Sequence, residues 1–259
     1  MDAEQDFRRR VGIHAHHVDR WAGAHPTYLR IGGVVPLSTT DYPDHLSAVV
    51  FCQGCPWRCG YCHNPHLLPR RNAQEIPWQD VMQFLARRRG LLDAVVFSGG
   101  EPTLQSGIVH AAAAVKALGF KVGLHTAGIY PRRLRTVLPL VDWVGMDVKA
   151  PFVDYSLITG IAGSGERALQ SVQLILDSGV DYEFRTTMHP ALHSCEKVVT
   201  LGETLAAMGV RHYALQEFRA QGCASAALAA APRKSLLDAP WHDRLATKFE
   251  SLVVRRASL

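Results

Sequence analysis

Four of the six cysteines fall within eleven residues, at Cys52, Cys55, Cys59 and Cys62, and only Cys195 and Cys223 stand apart. Three thiolates at the spacing Cys55-x3-Cys59-x2-Cys62 can converge on one small centre from a single tight loop. Thiolates favour iron–sulfur clusters, zinc and Cu(I). Three protein ligands on a 4Fe–4S cluster leave one iron open, as a catalytic zinc keeps a position for substrate. The competing reading is a closed site that also uses Cys52, either structural zinc or an electron-transfer cluster. Zinc sites pair two cysteine knuckles across a longer loop, and ferredoxin modules need far less chain than this, so the open-iron reading is the preferred one. Cys52 then packs as a small hydrophobe at a strand end, and Cys195 and Cys223, without spaced partners, are structural.

Downstream, Val95-Val-Phe-Ser98 reads as the end of a strand, and Gly99-Gly100-Glu101-Pro102 follows at the turn into a helix. Two glycines let a ligand approach the backbone closely, and Glu101 brings a carboxylate to the strand's carboxyl end. The alternative is a plain turn with a capping acid. Gly145-Met-Asp147-Val-Lys149 closes a later strand. Alternation puts Asp147 and Lys149 on one face, an acid and a base suited to a zwitterionic ligand or, alternatively, to a structural ion pair. On the strand after that, Arg185 faces as Glu183 does, and Gln216 and Glu217 on a sixth strand stand where they can line the same mouth.

The elements that must position these residues alternate along the chain. Apolar, β-branched runs at Ala48–Phe51, Ala94–Phe97, Lys121–His125, Trp143–Val148, Tyr182–Thr187 and His212–Leu215 read as strands. Helical stretches separate them at 78–89, 103–118, 131–138, 166–177 and 196–208. Six β/α units in series predict a parallel sheet with right-handed crossovers, and six fall short of the eight of a closed barrel. The expected fold is therefore α/β, an open partial (β/α)6 barrel over residues 27–218, with ligands at the strands' carboxyl ends. Residues 27–37 read as a short hairpin turning at Gly32-Gly33. A polar extension over 1–26 carries His14, His16 and His17, read as a solvated tract. Over 219–259 the sequence predicts a loop and a final helix, about 240–255, with Trp241, Leu245, Phe249 and Leu252 on one face.

Hydrophobic residues make up 47% of the 259 residues and charged ones 20%, which excludes a disordered chain. No apolar run approaches the roughly 18 to 20 residues that span a bilayer. The first ten residues lack the apolar core of a secretory signal, so a cytoplasmic setting is expected, where clustered thiols serve ligation rather than disulfides. The net charge of +5 is too small to argue for nucleic acid. Arg87-Arg-Arg89 and Arg132-Arg133 read as solvated helix faces.

Cys55-x3-Cys59-x2-Cys62, with the aromatic Tyr61 before the last cysteine, resembles the signature of the radical S-adenosylmethionine (SAM) enzymes. Within that superfamily, Ile31 to Pro43 and Phe51-Cys-Gln-Gly-Cys-Pro-Trp-Arg-Cys-Gly-Tyr-Cys-His-Asn-Pro65 resemble the activating proteins of anaerobic ribonucleoside-triphosphate reductase, and more distantly pyruvate formate-lyase activating enzyme. The resemblance implies a 4Fe–4S cluster on Cys55, Cys59 and Cys62, and SAM held by Tyr61, Gly99, Gly100, Glu101, Thr126, Asp147, Lys149 and Arg185, with Glu101 at the methionyl ammonium. It implies a glycyl-radical enzyme as partner, activated by hydrogen abstraction from a glycine, and a flavodoxin-like or ferredoxin-like reductant. His125-Thr-Ala-Gly128 departs from the family's Asp-Thr-Asn-Gly: Thr126 and Gly128 match, while His125 replaces an Asp that helps hold a monovalent cation in pyruvate formate-lyase activase. Two other activities are open, an activase of a pyruvate formate-lyase-type enzyme and a small-molecule radical SAM synthase of the deazaguanine-forming type. A non-catalytic iron–sulfur protein would leave Glu101, Asp147 and Lys149 unexplained.

Overall fold

The computed structural model describes residues 29–223, 225–231, 235–238 and 241–257; the polar extension, with His14, His16 and His17, lies outside them. Eight strands form one sheet in sequence order. β1 (Ile31–Ser38) pairs antiparallel with β2 (Ser47–Cys52). Every later neighbour is parallel: β3 (Ala94–Gly99), β4 (Lys121–Thr126), β5 (Trp143–Asp147), β6 (Asp181–Met188), β7 (His212–Glu217) and β8 (Ser251–Arg255). The crossovers carry α1 (Trp78–Ala86), α2 (Ile108–Ala117), α3 (Pro131–Val137), the short α4 (Tyr155–Thr159), α5 (Ser164–Ser178) and α6 (Cys195–Ala207). After β7 come α7 (Ala226–Ala229) and α8 (Trp241–Ala246). β1 and β8 are the two ends of the sheet and do not pair with each other, so the barrel is open. No helix among the described residues is long and apolar enough to cross a membrane.

The strands read as nearly continuous apolar runs because both of their faces are covered. Val50, Val95, Phe97, Leu124, Met146, Phe184 and Leu215 face the helices and join the main core. The opposite face lines a narrow lumen, filled by Tyr42, Val49, Ala94, Val96 and Trp143. Glycine makes that lumen wide enough. A Cβ on Gly123 would stand 3.0 Å from both Tyr42 and Val96, and one on Gly145 would strike the Arg185 guanidinium at 2.4 Å. Tyr42 and Trp143, with ring centroids 5.3 Å apart, thereby plug the barrel from below.

Three sequence expectations need correction. Gly32-Gly33 does not turn a hairpin but lies within the continuous strand β1, at a register shift against β2. These glycines serve close packing, since a Cβ on Gly32 would meet Leu67 and Gln53 side chains at 2.4 and 2.5 Å. The helix expected over 103–118 begins as a 3-10 turn, Pro102–Leu104, and is α-helical only from Ile108. The final helix stops at Ala246, and Ser251–Arg255 is a strand instead. The open edge of β7 offers those residues a full set of backbone partners, which outweighs the helical spacing of their apolar side chains. Leu245 packs over Gly202 of α6, and Phe249 lies against Tyr213 with centroids 5.1 Å apart.

β8 is fastened by charge as well as by backbone. Arg255 donates through both terminal nitrogens to Glu183, two strands away on β6, at 2.7 and 2.8 Å. Glu183 is 8% exposed, so removing the arginine strands a buried carboxylate. A fully buried broken pair costs about 3–5 kcal/mol, and Arg255 keeps a third of its side chain in water, so Arg255→Ala is expected to lose on the order of 2 kcal/mol. Urea unfolding checks this; an unchanged midpoint would mean that β8 is held by its backbone alone.

Candidate active site

The cysteine loop leaves the carboxyl end of β2. Cys52 is the last residue of that strand and is fully buried, whereas Cys55, Cys59 and Cys62 are half-buried and line one cavity of about 300 Å3. The loop is rigidly framed. Gly54 and Cys55 donate their amides to the Leu67 and Leu68 carbonyls, Arg58 donates its amide to the Thr159 carbonyl, and its guanidinium caps the Cys55 carbonyl at 2.8 Å. Trp57 sets its edge against Tyr155 at the foot of α4. Burial pushes the Cys55 thiol up to about 12, the Glu101 charge adds to this, and the Trp57 amide opposes it. Burial likewise raises Cys59. Both thiols therefore stay protonated until a cation displaces the proton.

The turn after β3 is built onto this loop. Gly99 has φ of +109°, and a Cβ there would stand 2.6 Å from the Cys52 amide nitrogen. A Cβ on Gly100 would stand 2.3 Å from the Gly54 carbonyl. With both side chains absent, Gly100 donates its amide to the Cys52 carbonyl and Glu101 donates its amide to the Gly54 carbonyl, each at 2.9 Å. Gly99 and Gly100 line the cavity, but Glu101 does not. Its carboxylate is fully buried and already satisfied: Oε1 accepts from the Thr103 amide, the Thr103 hydroxyl and the Thr126 hydroxyl at 3.1, 2.5 and 2.8 Å, and Oε2 accepts from the Ala127 amide at 3.0 Å. Burial raises its pKa against the pull of these donors. Through these bonds Glu101, expected from the sequence at a ligand ammonium, braces the ends of β3 and β4.

Asp147 and Lys149 do converge in the cavity, with Nζ 3.2 Å from Oδ2. The Arg185 Nε lies 3.6 Å from the other Asp147 oxygen, and its Nη2 donates to the Gly145 carbonyl at 3.0 Å. Burial drives the Asp147 pKa up, but Lys149 and Arg185 more than reverse this and hold the carboxyl below its usual range. Burial opposes the charge on Lys149, and the facing Tyr61 and Asp147 raise it well above the ordinary value. Its ammonium lies 5.6 Å from the Tyr61 ring centroid. Thr126 lines the cavity while donating to Glu101. His125 also lines it; its Nε2 donates to the Asp41 carbonyl at 2.8 Å, which leaves Nδ1 to accept from Ser98 at 3.2 Å. Burial and then the Arg185 charge push His125 down to about 3, so it is neutral.

The model of the Radical SAM superfamily matches residues 49–197, more than half of the chain. This chain belongs to the radical SAM superfamily. It is 33% identical over 198 residues to a Methanocaldococcus jannaschii protein provisionally described as a glycyl-radical enzyme activating enzyme, covering 73% of this chain and 79% of the other. It is 30% identical over 169 residues to the pyruvate formate-lyase-activating enzyme of Clostridium pasteurianum, covering 63% of this chain and 70% of that one. Among solved structures, Streptococcus suis SuiB bound to S-adenosylmethionine superposes with a TM-score of 0.61 at 15% identity, over 80% of this chain; the chain spans only 48% of SuiB. QueE from Escherichia coli gives a TM-score of 0.55 at 14% identity, over 89% of this chain and 94% of that one. These two likenesses bear on the fold.

Radical SAM membership implies a 4Fe–4S cluster and SAM, and the residues present fit both. The three thiols share one wall. The zwitterion-matched pair Asp147–Lys149 shares the cavity with the thiols. Trp57, His63, Asn64, Ser98, Thr187 and Asp41 also line it and were not singled out from sequence. Thr187 was within reach, since alternation from Arg185 puts both on one face; nothing local marks Asp41. The stretch read as a plain loop covers the cysteine segment: His63 donates to the Arg219 carbonyl at 2.8 Å, and a Cβ on Gly60 would touch Leu228 at 3.3 Å. Thr126→Val removes one donor to Glu101 and orphans the Gly128 amide that bonds the Thr126 hydroxyl at 3.0 Å. A loss of about 1–3 kcal/mol in urea unfolding is expected; parental stability would refute the bracing role.

Proposed function

We propose that this protein is a radical SAM activase of a glycyl-radical enzyme, and that its target is anaerobic ribonucleoside-triphosphate reductase. The observation that carries the reading is one cavity at the mouth of an open barrel, shared by three thiols and an acid–base pair matched to an amino acid. The glycyl-radical branch is supported by the relatives above, and the reductase as target by the resemblance of Ile31–Pro43 and Phe51–Pro65 to its activating proteins. The 30% identity to pyruvate formate-lyase-activating enzyme favours a pyruvate formate-lyase-type partner as the second reading.

In this reading Cys55, Cys59 and Cys62 hold the 4Fe–4S cluster and Cys52 does not. Bound there and given one electron, cluster and SAM would supply a reductive carbon–sulfur cleavage and, from it, abstraction of one hydrogen atom from a glycine Cα, with methionine and 5′-deoxyadenosine as co-products. Lys149 takes the carboxylate of the methionyl group, and Asp147, ionised beside it, takes the ammonium or the ribose hydroxyls. Arg185 keeps Asp147 charged. Gly99 and Gly100 let the ligand lie against bare backbone, while Tyr61 and Thr126 shape the walls. The plug of Tyr42 and Trp143 closes the lumen below, so the cavity is dry on that side. A flavodoxin-like or ferredoxin-like protein supplies the electron, in the cytoplasm.

Cys55→Ala, Cys59→Ala and Cys62→Ala, reconstituted without oxygen, are each expected to lose bound iron and the cluster absorbance, while Cys52→Ala keeps both. A full cluster on Cys59→Ala, or its loss from Cys52→Ala, would contradict the assignment. The function is tested by incubating the reduced, reconstituted protein and SAM with anaerobic ribonucleoside-triphosphate reductase and, side by side, with pyruvate formate-lyase. Electron paramagnetic resonance should show a glycine-centred doublet on the reductase that collapses when the glycine is deuterated at Cα. A doublet on pyruvate formate-lyase alone would reassign the partner. SAM cleavage with both proteins silent would point to a small-molecule substrate.

A further inference from the structure

The cavity wall formed by β6 and β7 is unlike the rest. Thr187 and Gln216 are cross-strand neighbours in the β6–β7 register, both half-buried, and both line the cavity. The Thr187 hydroxyl donates to Gln216 Oε1 at 3.4 Å, and the Gln216 amide nitrogen has no hydrogen-bond partner among the described residues. The charged groups are engaged elsewhere. Asp147, Lys149 and Arg185 pair with one another. Arg255, which neighbours Gln216 across the β7–β8 register, commits both terminal nitrogens to Glu183. β7 is the last strand but one and β8 is the end of the sheet, so Gln216 stands on the side where the barrel is not closed.

We propose that Thr187 and Gln216 dock the backbone of the partner polypeptide beside the reacting glycine, Gln216 donating from its amide nitrogen to a peptide carbonyl. The proposal rests on the activase reading and names how that substrate is recognised. A glycine presents nothing but its backbone, so recognition at the reacting residue has to come through peptide N–H and C=O groups. A carboxamide matches a peptide group end for end, with one donor side, one acceptor side and no charge. The zwitterion goes to the charged wall, and the neutral wall is left for a neutral chain. Thr187 fixes the rotamer of Gln216 and so acts as its positioning residue.

The test measures glycine-radical formation against reductase concentration for the parent, Gln216→Ala, Gln216→Glu and Thr187→Val, with SAM affinity and iron content measured on each protein. One lost hydrogen bond in a half-buried site corresponds to roughly a fivefold to tenfold rise in apparent KM for the reductase. That rise is expected for Gln216→Ala and Gln216→Glu, and a smaller one for Thr187→Val, with SAM affinity and iron content at parental values. More 5′-deoxyadenosine should also be released per glycine radical formed. An unchanged KM in both Gln216 variants would overturn the proposal while the parent's glycine radical upheld the activase reading. Weakened SAM affinity in Gln216→Ala would overturn it by assigning the amide to the co-substrate. A parent that forms no glycine radical on either the reductase or pyruvate formate-lyase would overturn reading and proposal together. Should Gln216→Ala fail to fold, the isosteric Gln216→Glu and Thr187→Val carry the same comparison.

Discussion

Glu101 holds a carboxylate where no water reaches it, and four donors from two neighbouring turns converge on its oxygens. Its own amide reaches back to the Gly54 carbonyl in the cysteine loop. One residue therefore ties together the end of β2, the end of β3 and the end of β4. A carboxyl group this deep is tolerated only when its oxygens are hydrogen-bonded, so these three segments have little freedom to move independently. The glycines before it are the steric condition of the same joint: a side chain at either position would strike the backbone of the cysteine loop. The position of the thiols relative to Gly99, Gly100 and Thr126 follows from this joint.

Across the cavity the organising force is Coulombic rather than steric. Asp147 is shared by Lys149 and Arg185, so the group carries one more positive charge than negative. Such a site favours an anionic moiety while still offering one carboxylate to an ammonium. His125 stays neutral beside Arg185 because burial and the guanidinium both oppose its protonation. Arg185 itself supplies positive charge in the layer of His125.

The open side of the barrel is kept in shape by the Glu183–Arg255 pair and by the plug beneath it. β8 extends the sheet by one strand past the six β/α units, and its own outer edge is where the sheet ends. Without the bidentate pair, the edge strand would rest on its ladder with β7 and on the modest packing of Leu252 and Val254. The Tyr42–Trp143 stack depends on Gly123 and Gly145, two positions where the parallel sheet gives up side chains so that large ones from elsewhere fit inside.

Much of this was legible in the chain. The β-branched runs and intervening helical periods fix a parallel α/β sheet, because both signals are local and repeat many times. The C-x3-C-x2-C spacing puts three thiols on one eight-residue loop, and in the fold all three open onto one cavity. Alternation placed Asp147 with Lys149 and would have placed Thr187 with Arg185. What the sequence could not decide was direction and company. The Glu101 motif marks a strand end, and its carboxylate turns into the protein, where two donors come from nearby Thr103 and two from Thr126 and Ala127 at the end of β4, which the local sequence does not show. The apolar spacing from Trp241 to Leu252 satisfied a helix, but a vacant strand edge is a property of the assembled sheet, and that edge turned Ser251–Arg255 into β8. Asp41 entered the cavity for the same reason: a barrel brings distant segments to one mouth, and only closure of the backbone around it determines which side chains meet there.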